Sequence, residues 1–148
     1  MLLGVGILSS FLLRWEFIRK DMFMPKICFG SSPTAPLSLA VRAADTVYIS
    51  GQVATDISSN IISDNITEQA HQVFKNCQAA LALADASFDD VVKVNIILTD
   101  VKDFAAMNDV YIQYFPNNPP ARTTIGAALA REGLLIEIDM IAHAPKKH

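Results

Sequence analysis

The sequence has few charged residues and no cluster of basic ones. Charged side chains make up 18% of its 148 residues, and the formal net charge is −3. Proteins that bind nucleic acids carry a basic patch along the phosphate path, so this class of partner is not expected. Hydrophobic residues make up 51% of the chain, and the mean hydropathy is +0.30. So apolar a composition in one small domain predicts that part of the surface is covered in an oligomer.

The sequence also lacks the cysteine patterns and catalytic motifs of the common enzyme classes. Its two cysteines, Cys28 and Cys77, match neither a metal-binding nor a disulfide spacing. Cys77 falls on the apolar face of a predicted helix, which favours a buried thiol in a reducing compartment such as the cytoplasm. No GxSxG, HExxH, GxGxxG or P-loop motif is present. These absences argue against the usual hydrolase, zinc-protease and nucleotide-binding classes.

The chain opens on a short apolar run, MLLGVGILSSFLLRW. About a dozen apolar residues are too few to span a bilayer comfortably. Positive charges follow the run, whereas in a secretory signal they precede it. The pattern favours a dispensable extension over residues 1–23, arising from an upstream start codon, with a membrane anchor as the alternative. A single globular domain is expected over residues 24–148.

Hydrophobic periodicity predicts two strands and then a long helix in the first half of this domain. The strands meet at a turn over residues 43–45. Asn65 and Glu68 have the spacing of an N-cap and its capping-box acid at the start of the helix. One face of this helix is apolar and is predicted to be buried: Ala70, Val73, Phe74, Cys77, Ala80, Leu81 and Ala84.

A strand over residues 90–100 and a helix over residues 103–115, capped by Asp100 or Asp103, are predicted next. The inward positions of the strand are predicted to be Val92, Val94, Ile96 and Leu98. Those of the helix are predicted to be Phe104, Met107, Asn108, Tyr111 and Phe115. Two further strands follow the break PNNPP, and the last, over residues 134–144, alternates between an apolar and a more polar face.

The predicted order of elements is β-β-α-β-α-β-β. This order predicts an α+β sandwich in which both helices lie on one face of the sheet. The opposite face mixes polar residues with Ile97, Leu135 and Ile141. Because such a face hydrates poorly, contact with another subunit is expected to cover it.

Arg122 is the residue that most needs a partner. It lies in PPARTTIGAAL, a stretch with no other charge, and its planar guanidinium suits a small carboxylate held by two hydrogen bonds. Glu137 lies on the next predicted strand between Ile136 and Ile138, where burial would raise its pKa and suit it to handle a water or a proton. The simpler interpretation is a cross-strand salt bridge between Arg122 and Glu137, and periodicity alone favours it.

Ser50 and Asn108 are weaker candidates. Ser50 ends a strand just before Gly51, where a hydroxyl and free amides can meet a ligand. A turn serine more often bonds its own backbone. Asn108 is an amide on an apolar helix face, and it can either line a cleft or satisfy a neighbouring backbone group.

Taken in order, five segments resemble the Rid family of YjgF-like reactive-intermediate (2-iminobutanoate/2-iminopropanoate) deaminases: ISGQVATD, TEQAHQVFKNCQAAL, VVKVNIILTDVKDFAAMNDVY, PPARTT and LLIEIDMIA. The resemblance covers roughly residues 30–144. It implies a chorismate-mutase-like α+β fold with a mixed sheet, assembled as a homotrimer with ligand clefts between subunits. It also implies hydrolysis of small 2-imino acids to 2-keto acids and ammonia, without a metal or an organic cofactor.

The resemblance implies roles for single residues. Arg122 matches the family arginine that holds the substrate carboxylate, and Glu137 matches the acid that positions or activates the attacking water. Ser50, Gly51 and Asn108 match residues that line the cleft. The chemistry needs little more, since the carbon of a protonated imine is already electrophilic and one oriented water can add to it.

Two positions depart from the family pattern. Leu37 stands where the family often has a tyrosine, and Thr124 stands where it often has a cysteine. Both are expected to contact the substrate. Leu37 replaces a hydroxyl by an apolar wall, which favours a bulkier or more apolar imino acid.

Two other functions remain open at this point. A non-catalytic module could bind a small carboxylate or keto acid in the same cleft, with Arg122 still required. Ligand-dependent stabilisation without turnover would distinguish it from an enzyme. A chaperone-like or ribonuclease activity, also reported within the family, has little support from a net charge of −3 without a basic patch.

Overall fold

The fold of residues 25–146 is described by a computed structural model. This part of the chain forms six strands and two α-helices: β1 (Ile27–Phe29), β2 (Ala40–Ala43), β3 (Thr46–Val53), α1 (Ile66–Leu83), β4 (Val91–Leu98), α2 (Phe104–Tyr114), β5 (Ala121–Gly126) and β6 (Ile136–His143). Periodicity does not predict β1, because three residues are too few to show an alternating pattern. The extension predicted over residues 1–23 lies outside the described residues.

All six strands form one mixed sheet in the order β1-β2-β3-β6-β4-β5. Neighbouring strands are antiparallel except β4 and β5, which are parallel and joined through α2. Both helices pack on one face of the sheet, and the buried side chains of β3, β4 and β6 form the core with them. The predicted α+β sandwich is therefore confirmed, with one additional edge strand.

The first helix begins at its predicted cap. The Asn65 Oδ1 atom accepts hydrogen bonds from the backbone N–H groups of Thr67 and Glu68, at 2.9 and 3.2 Å. Glu68 does not complete a capping box, because the N–H of Asn65 donates instead to the Ser63 hydroxyl at 3.0 Å. The predicted inward face is confirmed, since all its residues are buried: Ala70, Val73, Phe74, Cys77, Ala80, Leu81 and Ala84.

The second helix departs from its predicted inward face at its first residue. Met107, Tyr111 and Phe115 are buried as predicted, but Phe104 is 44% exposed. Asp100, one of the two predicted caps, accepts the N–H of Lys102 at 2.9 Å and stabilises a short 3-10 turn ahead of the helix. The start of α2 lies over the edge strand β5, where the Phe104 ring packs against the Arg122 side chain and not in the core.

The prediction that Val92 points into the core is wrong. Val92 is 49% exposed, while Val91 before it is buried. The pairing of β4 with β6 shifts register between Val91 and Lys93. A bulge of this kind adds one residue to the strand and reverses the alternation of side chains before it.

A buried arginine links the two ends of the domain. Arg42, on β2, is almost completely buried, and its Nη1 atom donates to the Ala144 carbonyl at 2.6 Å. Its Nη2 atom donates to the carbonyl of Ala84, the last turn of α1, at 2.5 Å. These bonds satisfy carbonyls at a helix end and just beyond the last strand, where backbone partners are missing.

A buried amide fixes the approach to β6. Gln69, in the first turn of α1, is fully buried, and its Nε2 atom donates to the carbonyl of Gly133 at 2.8 Å. Its Oε1 atom accepts the N–H of Leu135 at 2.8 Å. The loop that precedes β6 is thus bonded to the helix layer, which sets the level at which β6 enters the sheet.

Candidate functional site

Arg122 lies on the helix-covered face of the edge strand β5. It pairs in parallel register with Val94, whose side chain is part of the core, so both side chains point to the same face. The Cζ atom of Arg122 lies 4.5 Å from the centroid of the Tyr111 ring and 5.6 Å from that of the Phe104 ring. Within residues 25–146 the guanidinium has no acidic partner, as the one ion pair found there joins Lys102 to Asp100. Arg122 is therefore a half-buried cation held against aromatic rings.

Polar groups without a hydrogen-bond partner among the described residues lie on the same face as this guanidinium. Thr124 follows two residues later on β5, and its Oγ1 atom is buried without a hydrogen bond to any described residue. The hydroxyl of Tyr111 is also buried without a hydrogen bond to any described residue. Burial raises the pKa of this hydroxyl, and the nearby Arg122 charge partly lowers it again. Asn108 is half-buried on α2, at helical spacing from Phe104 and Tyr111. We call these five residues the arginine face.

Glu137 lies on β6 with its side chain on the opposite face of the sheet. Its neighbours Ile136 and Ile138 point to the helices and are fully buried, and Glu137 alternates with them. Burial raises the pKa of its carboxyl, and the nearby Asp139 carboxylate raises it further. A carboxyl with a raised pKa can accept and return a proton closer to neutral pH than an ordinary glutamate.

Gly51 provides the space in which the Glu137 carboxylate lies. A Cβ added at Gly51 would overlap the Oε1 atom of Glu137 and lie 2.9 Å from its Cδ atom. The pairing of β3 with β6 is irregular here, since Ile49 and Gln52 pair with Met140 and Ile138 and leave two residues opposite one. This bulge places a residue without a side chain against the carboxylate.

Ser50 ties the chain before β2 to the same place. Its hydroxyl donates to the Ser38 carbonyl at 2.7 Å, and its N–H donates to the Leu39 carbonyl at 3.1 Å. The hydroxyl thus bonds a segment 12 residues away and not its own backbone. Leu37, one residue before Ser38, is 40% exposed. We call Glu137, Gly51 and Ser50 the carboxylate face, and Leu37 belongs to the segment that Ser50 bonds.

The cross-strand salt bridge considered for Arg122 and Glu137 is not formed. Strand β4 lies between β5 and β6, so the strands that carry the two residues are already about 10 Å apart. Glu137 is level with Ile97 on β4, and Ile97 is level with Ile125, three residues beyond Arg122. The side chains also point to opposite faces. The structure thus brings the predicted residues together as two groups on two faces of one sheet.

Three contributors were not predicted from sequence: Tyr111 and Phe104 as partners of Arg122, and Asp139 beside Glu137. Tyr111 and Phe104 have the spacing of an ordinary core face, and that pattern hides their contact with a cation. Asp139 has a signal in the sequence, since it shares a strand face with Glu137 two residues away. Its Oδ1 atom accepts a hydrogen bond from the Asn95 amide at 2.9 Å.

Two kinds of feature are not found in the described part of the chain. Among residues 25–146, no three His, Cys, Asp or Glu side chains lie close enough together to hold a metal ion. No helix in that range is long and apolar enough to cross a bilayer.

Comparison with known proteins gives relatives over most of the chain. A family model described as Endoribonuclease L-PSP matches residues 30–144. The human 2-iminobutanoate/2-iminopropanoate deaminase is 41% identical over 108 residues, which cover 72% of this chain and 79% of the human protein. A RutC family protein of Saccharolobus solfataricus is 41% identical over 111 residues, covering 74% and 88% of the two chains. The mitochondrial protein Mmf1 of Saccharomyces cerevisiae is 38% identical over 108 residues, covering 73% and 74%.

Solved structures agree with these sequence matches. The crystal structure of yeast Mmf1 superposes with a TM-score of 0.75 at 32% identity and covers 82% of this chain and all of its own. The structure of RidA from a Psychrobacter species has a TM-score of 0.74 at 34% identity, covering 79% and 98%. The chain therefore belongs to the Endoribonuclease L-PSP family, whose members also carry the names YjgF, Rid and RutC.

Proposed function

We propose that this protein hydrolyses reactive 2-imino acids, or their enamine tautomers, to 2-keto acids and ammonia. The proposal rests mainly on Arg122, a half-buried cation that has no anionic partner among the described residues. Relatives named as 2-iminobutanoate/2-iminopropanoate deaminases support the same substrate class. A small anionic substrate would supply the charge that Arg122 lacks.

In this mechanism Arg122 holds the substrate carboxylate. The N–H donors of a guanidinium lie in its plane and can form two parallel bonds with a carboxylate. The rings of Tyr111 and Phe104 contact Arg122 without accepting conventional hydrogen bonds, so the donors stay available. Thr124 and Asn108 lie on the same face, where their polar groups can bond the imine nitrogen or the carboxylate.

Glu137 acts on the water. Its carboxylate accepts a proton as the water oxygen adds to the imine carbon, which converts C=N into a carbinolamine. It then returns the proton to nitrogen and accepts the hydroxyl proton of the carbinolamine as the C–N bond breaks, so that ammonia leaves and the carbonyl forms. The raised pKa of Glu137 suits both steps, because the group must gain and lose one proton near neutral pH.

A complete site needs two copies of the chain. The arginine face and the carboxylate face lie on opposite faces of one sheet, so one substrate cannot contact both within one protomer. A cyclic oligomer can place the arginine face of one protomer against the carboxylate face of the next. We infer a homotrimer with the sites between subunits. The half-apolar outer strand face and the apolar composition support an oligomer.

Leu37 is proposed to select the substrate side chain. It is an exposed apolar residue directly before Ser38, which the Ser50 hydroxyl bonds. A branched or longer imino acid can bury apolar surface against it, at about 25 cal/mol per Å². Replacing Leu37 by Tyr should lower kcat/KM for imines made from leucine relative to those made from threonine.

The proposal is tested by ammonia release in a coupled assay. A threonine or serine dehydratase supplies the imine, and the purified protein should speed the appearance of ammonia and keto acid. Arg122→Ala should abolish the acceleration while the oligomer stays intact by light scattering. Arg131→Ala is the matched control, because Arg131 is exposed and donates only to the Ser59 carbonyl at 2.7 Å. Equal rates for wild type and Arg122→Ala would remove the assignment.

Mixing two inactive variants tests whether the site is shared. Arg122→Ala and Glu137→Gln are each expected to be inactive. If they are unfolded together and refolded as mixed oligomers, about one quarter of the sites regain both wild-type residues when neighbours are random. Recovery of about 25% of the wild-type rate supports a shared site, and no recovery would place both residues in one protomer.

A non-catalytic binding module is the alternative. It would bind pyruvate or 2-oxobutanoate through Arg122 and show ligand-dependent thermal stabilisation. The coupled assay separates the two functions, because a binding module changes melting temperature without changing the rate of ammonia release.

The predicted cytoplasmic location also stays a prediction, since two of the fungal relatives are named as mitochondrial.

A further inference from the structure

The aromatic contacts of Arg122 have a function that the family comparison does not assign. An arginine at the edge of a sheet would normally be held by a carboxylate, as in the salt bridge considered above. Here the neighbours of the guanidinium are the two rings, at 4.5 Å and 5.6 Å from Cζ. A cation is attracted to the face of an aromatic ring within about 6 Å of the centroid. Both rings lie within that range.

We propose that Tyr111 and Phe104 are positioning residues that orient the Arg122 guanidinium through ring contact and leave its N–H donors free for a substrate carboxylate. This inference rests on the proposed function. A carboxylate partner would occupy the same donors and neutralise the same charge that the substrate requires. Aromatic rings fix the side chain without doing either.

Tyr111 can do this because its own ring is immobilised. It lies 4.9 Å from the Phe115 ring and 5.9 Å from the Phe74 ring, at the edge of the aromatic cluster that joins α1 to α2. The ring is buried in this cluster, and one side of it remains for Arg122. The Tyr111 hydroxyl contributes no hydrogen bond within the described residues. Arg122 lies over the ring face, so the ring is proposed as the functional group.

Phe104 supplies the second ring that contacts the Arg122 guanidinium. It begins α2 and is 44% exposed, although its type and its spacing predict burial. Its contact with Arg122 accounts for this position. Because Phe104 is not in the core, it can be replaced without creating a buried cavity, which makes it the cleaner site for a test.

The first measurement observes Arg122 directly and needs no activity. In a ¹H–¹⁵N spectrum of arginine side chains, ring currents should shift the Arg122 Nε–H signal upfield, and Arg122→Lys identifies that signal by removing it. Phe104→Leu and Tyr111→Leu should each move the signal toward the position of an exposed arginine. Tyr111→Phe, which keeps the ring, should leave it in place. A signal unchanged in both leucine variants would overturn the proposal.

The second measurement separates orientation from general stability. Phe104→Leu should raise KM by about 2–5-fold and leave kcat within about 2-fold, as expected for losing about 0.5–1 kcal/mol of a cation–π contact that acts before and during reaction. Ile112→Ala, an exposed substitution on the same helix, is the control and should change neither constant. If Tyr111→Phe raises KM as much as Tyr111→Leu, the hydroxyl is the functional group and the proposal is wrong.

The two measurements also separate this inference from the proposed function. A wild-type protein without imine hydrolysis would remove the proposed function, and the Arg122 signal would still decide whether the rings orient the guanidinium. A wild type that hydrolyses imines, with unchanged signal and KM in both leucine variants, would remove the inference alone.

Discussion

Replacing Gly51 by alanine tests how closely the sheet surrounds Glu137. An added Cβ would overlap the Glu137 Oε1 atom and lie 2.9 Å from Cδ and 3.2 Å from Cγ. Real Cβ atoms do not approach other heavy atoms this closely, so the carboxylate must move. Glu137 is half-buried between β3 and β4, so it must leave its rotamer to do so. We expect an enzyme with a displaced carboxylate.

The expected effect on stability is small. Gly51 does not have the positive φ that marks Gly30 and Gly133, so alanine can adopt its backbone conformation. Removing glycine from the unfolded chain stabilises a protein by about 0.4–1 kcal/mol where the conformation is compatible. A side chain forced about 30° from its rotamer costs about 0.5–1.5 kcal/mol. The two effects nearly cancel, and the melting temperature should stay within a few degrees of wild type.

The expected effect on activity is large. A displacement of about 1 Å in a positioned group can lower a rate by about 100-fold, and we expect kcat/KM for imine hydrolysis to fall by at least that factor. The coupled ammonia assay measures it. Gly126→Ala is the matched control, because its Cβ would come too close only to the Cγ1 atom of Val101, an exposed side chain that can rotate away, and would make an ordinary contact of 3.9 Å with the Leu98 carbonyl oxygen. Gly51→Ala with wild-type kcat/KM would refute the placement of Glu137 in the site.

Three further predictions follow from other contacts. Because the folded state raises the pKa of Glu137 above its ordinary value of 4.5, ionisation of this group destabilises the fold as the pH rises above 4.5. The stability advantage of Glu137→Gln over wild type should therefore be larger at about pH 7 than at about pH 4, as measured by urea unfolding. The same advantage at both pH values would contradict the raised pKa. Asp139→Asn removes a charge that raises the Glu137 pKa, so the acid limb of the plot of kcat/KM against pH should move to lower pH. An unmoved acid limb would argue against Glu137 as the base. Gln69→Leu removes a buried amide that bonds the loop before β6 and leaves backbone groups unsatisfied, so the free energy of unfolding should fall by about 2–4 kcal/mol in denaturant titrations; a loss below about 0.5 kcal/mol would show that these bonds are replaced.

Local patterns predicted the elements of the fold well. The apolar face of α1 and the N-cap at Asn65 follow from spacing along the chain, and the structure has both. The predicted alternation of the last strand is likewise correct, since Ile136, Ile138, Met140 and Ala142 are buried. These features depend on residues within a few turns of one another, which is the range over which periodicity carries information.

Pairing between strands was less predictable, because it depends on residues far apart in sequence. The bulge that turns Val92 outward is set by the partner strand β6 and not by β4 itself. A salt bridge between Arg122 and Glu137 requires β5 and β6 to be neighbours in the sheet, as consecutive strands often are. The order strand–helix–strand over β4, α2 and β5 carried the opposite signal, since such units normally form parallel neighbours.

The sequence proposes residues for the candidate site, and it does not give their arrangement. Arg122 and Glu137 stand out from their neighbours by charge, and the family resemblance named the others. Nothing local shows that the two groups face opposite sides of a sheet, because a residue's face depends on register. The role proposed for Phe104 is hidden for the same reason, since an exposed phenylalanine at a helix start looks like a core residue in sequence.

The position of β6 has a consequence for how the chain folds. Strand β6 follows the other five described strands in sequence, yet it lies inside the sheet, between β3 and β4. The hairpin of β2 and β3 therefore has no strand to pair with β3 until β6 has been synthesised. Arg42 faces the same delay, because one of its carbonyl partners is 102 residues away. Folding of this domain should accordingly be completed only after the C-terminal strand leaves the ribosome, so truncations that remove β6 should leave an unfolded chain and not a smaller domain.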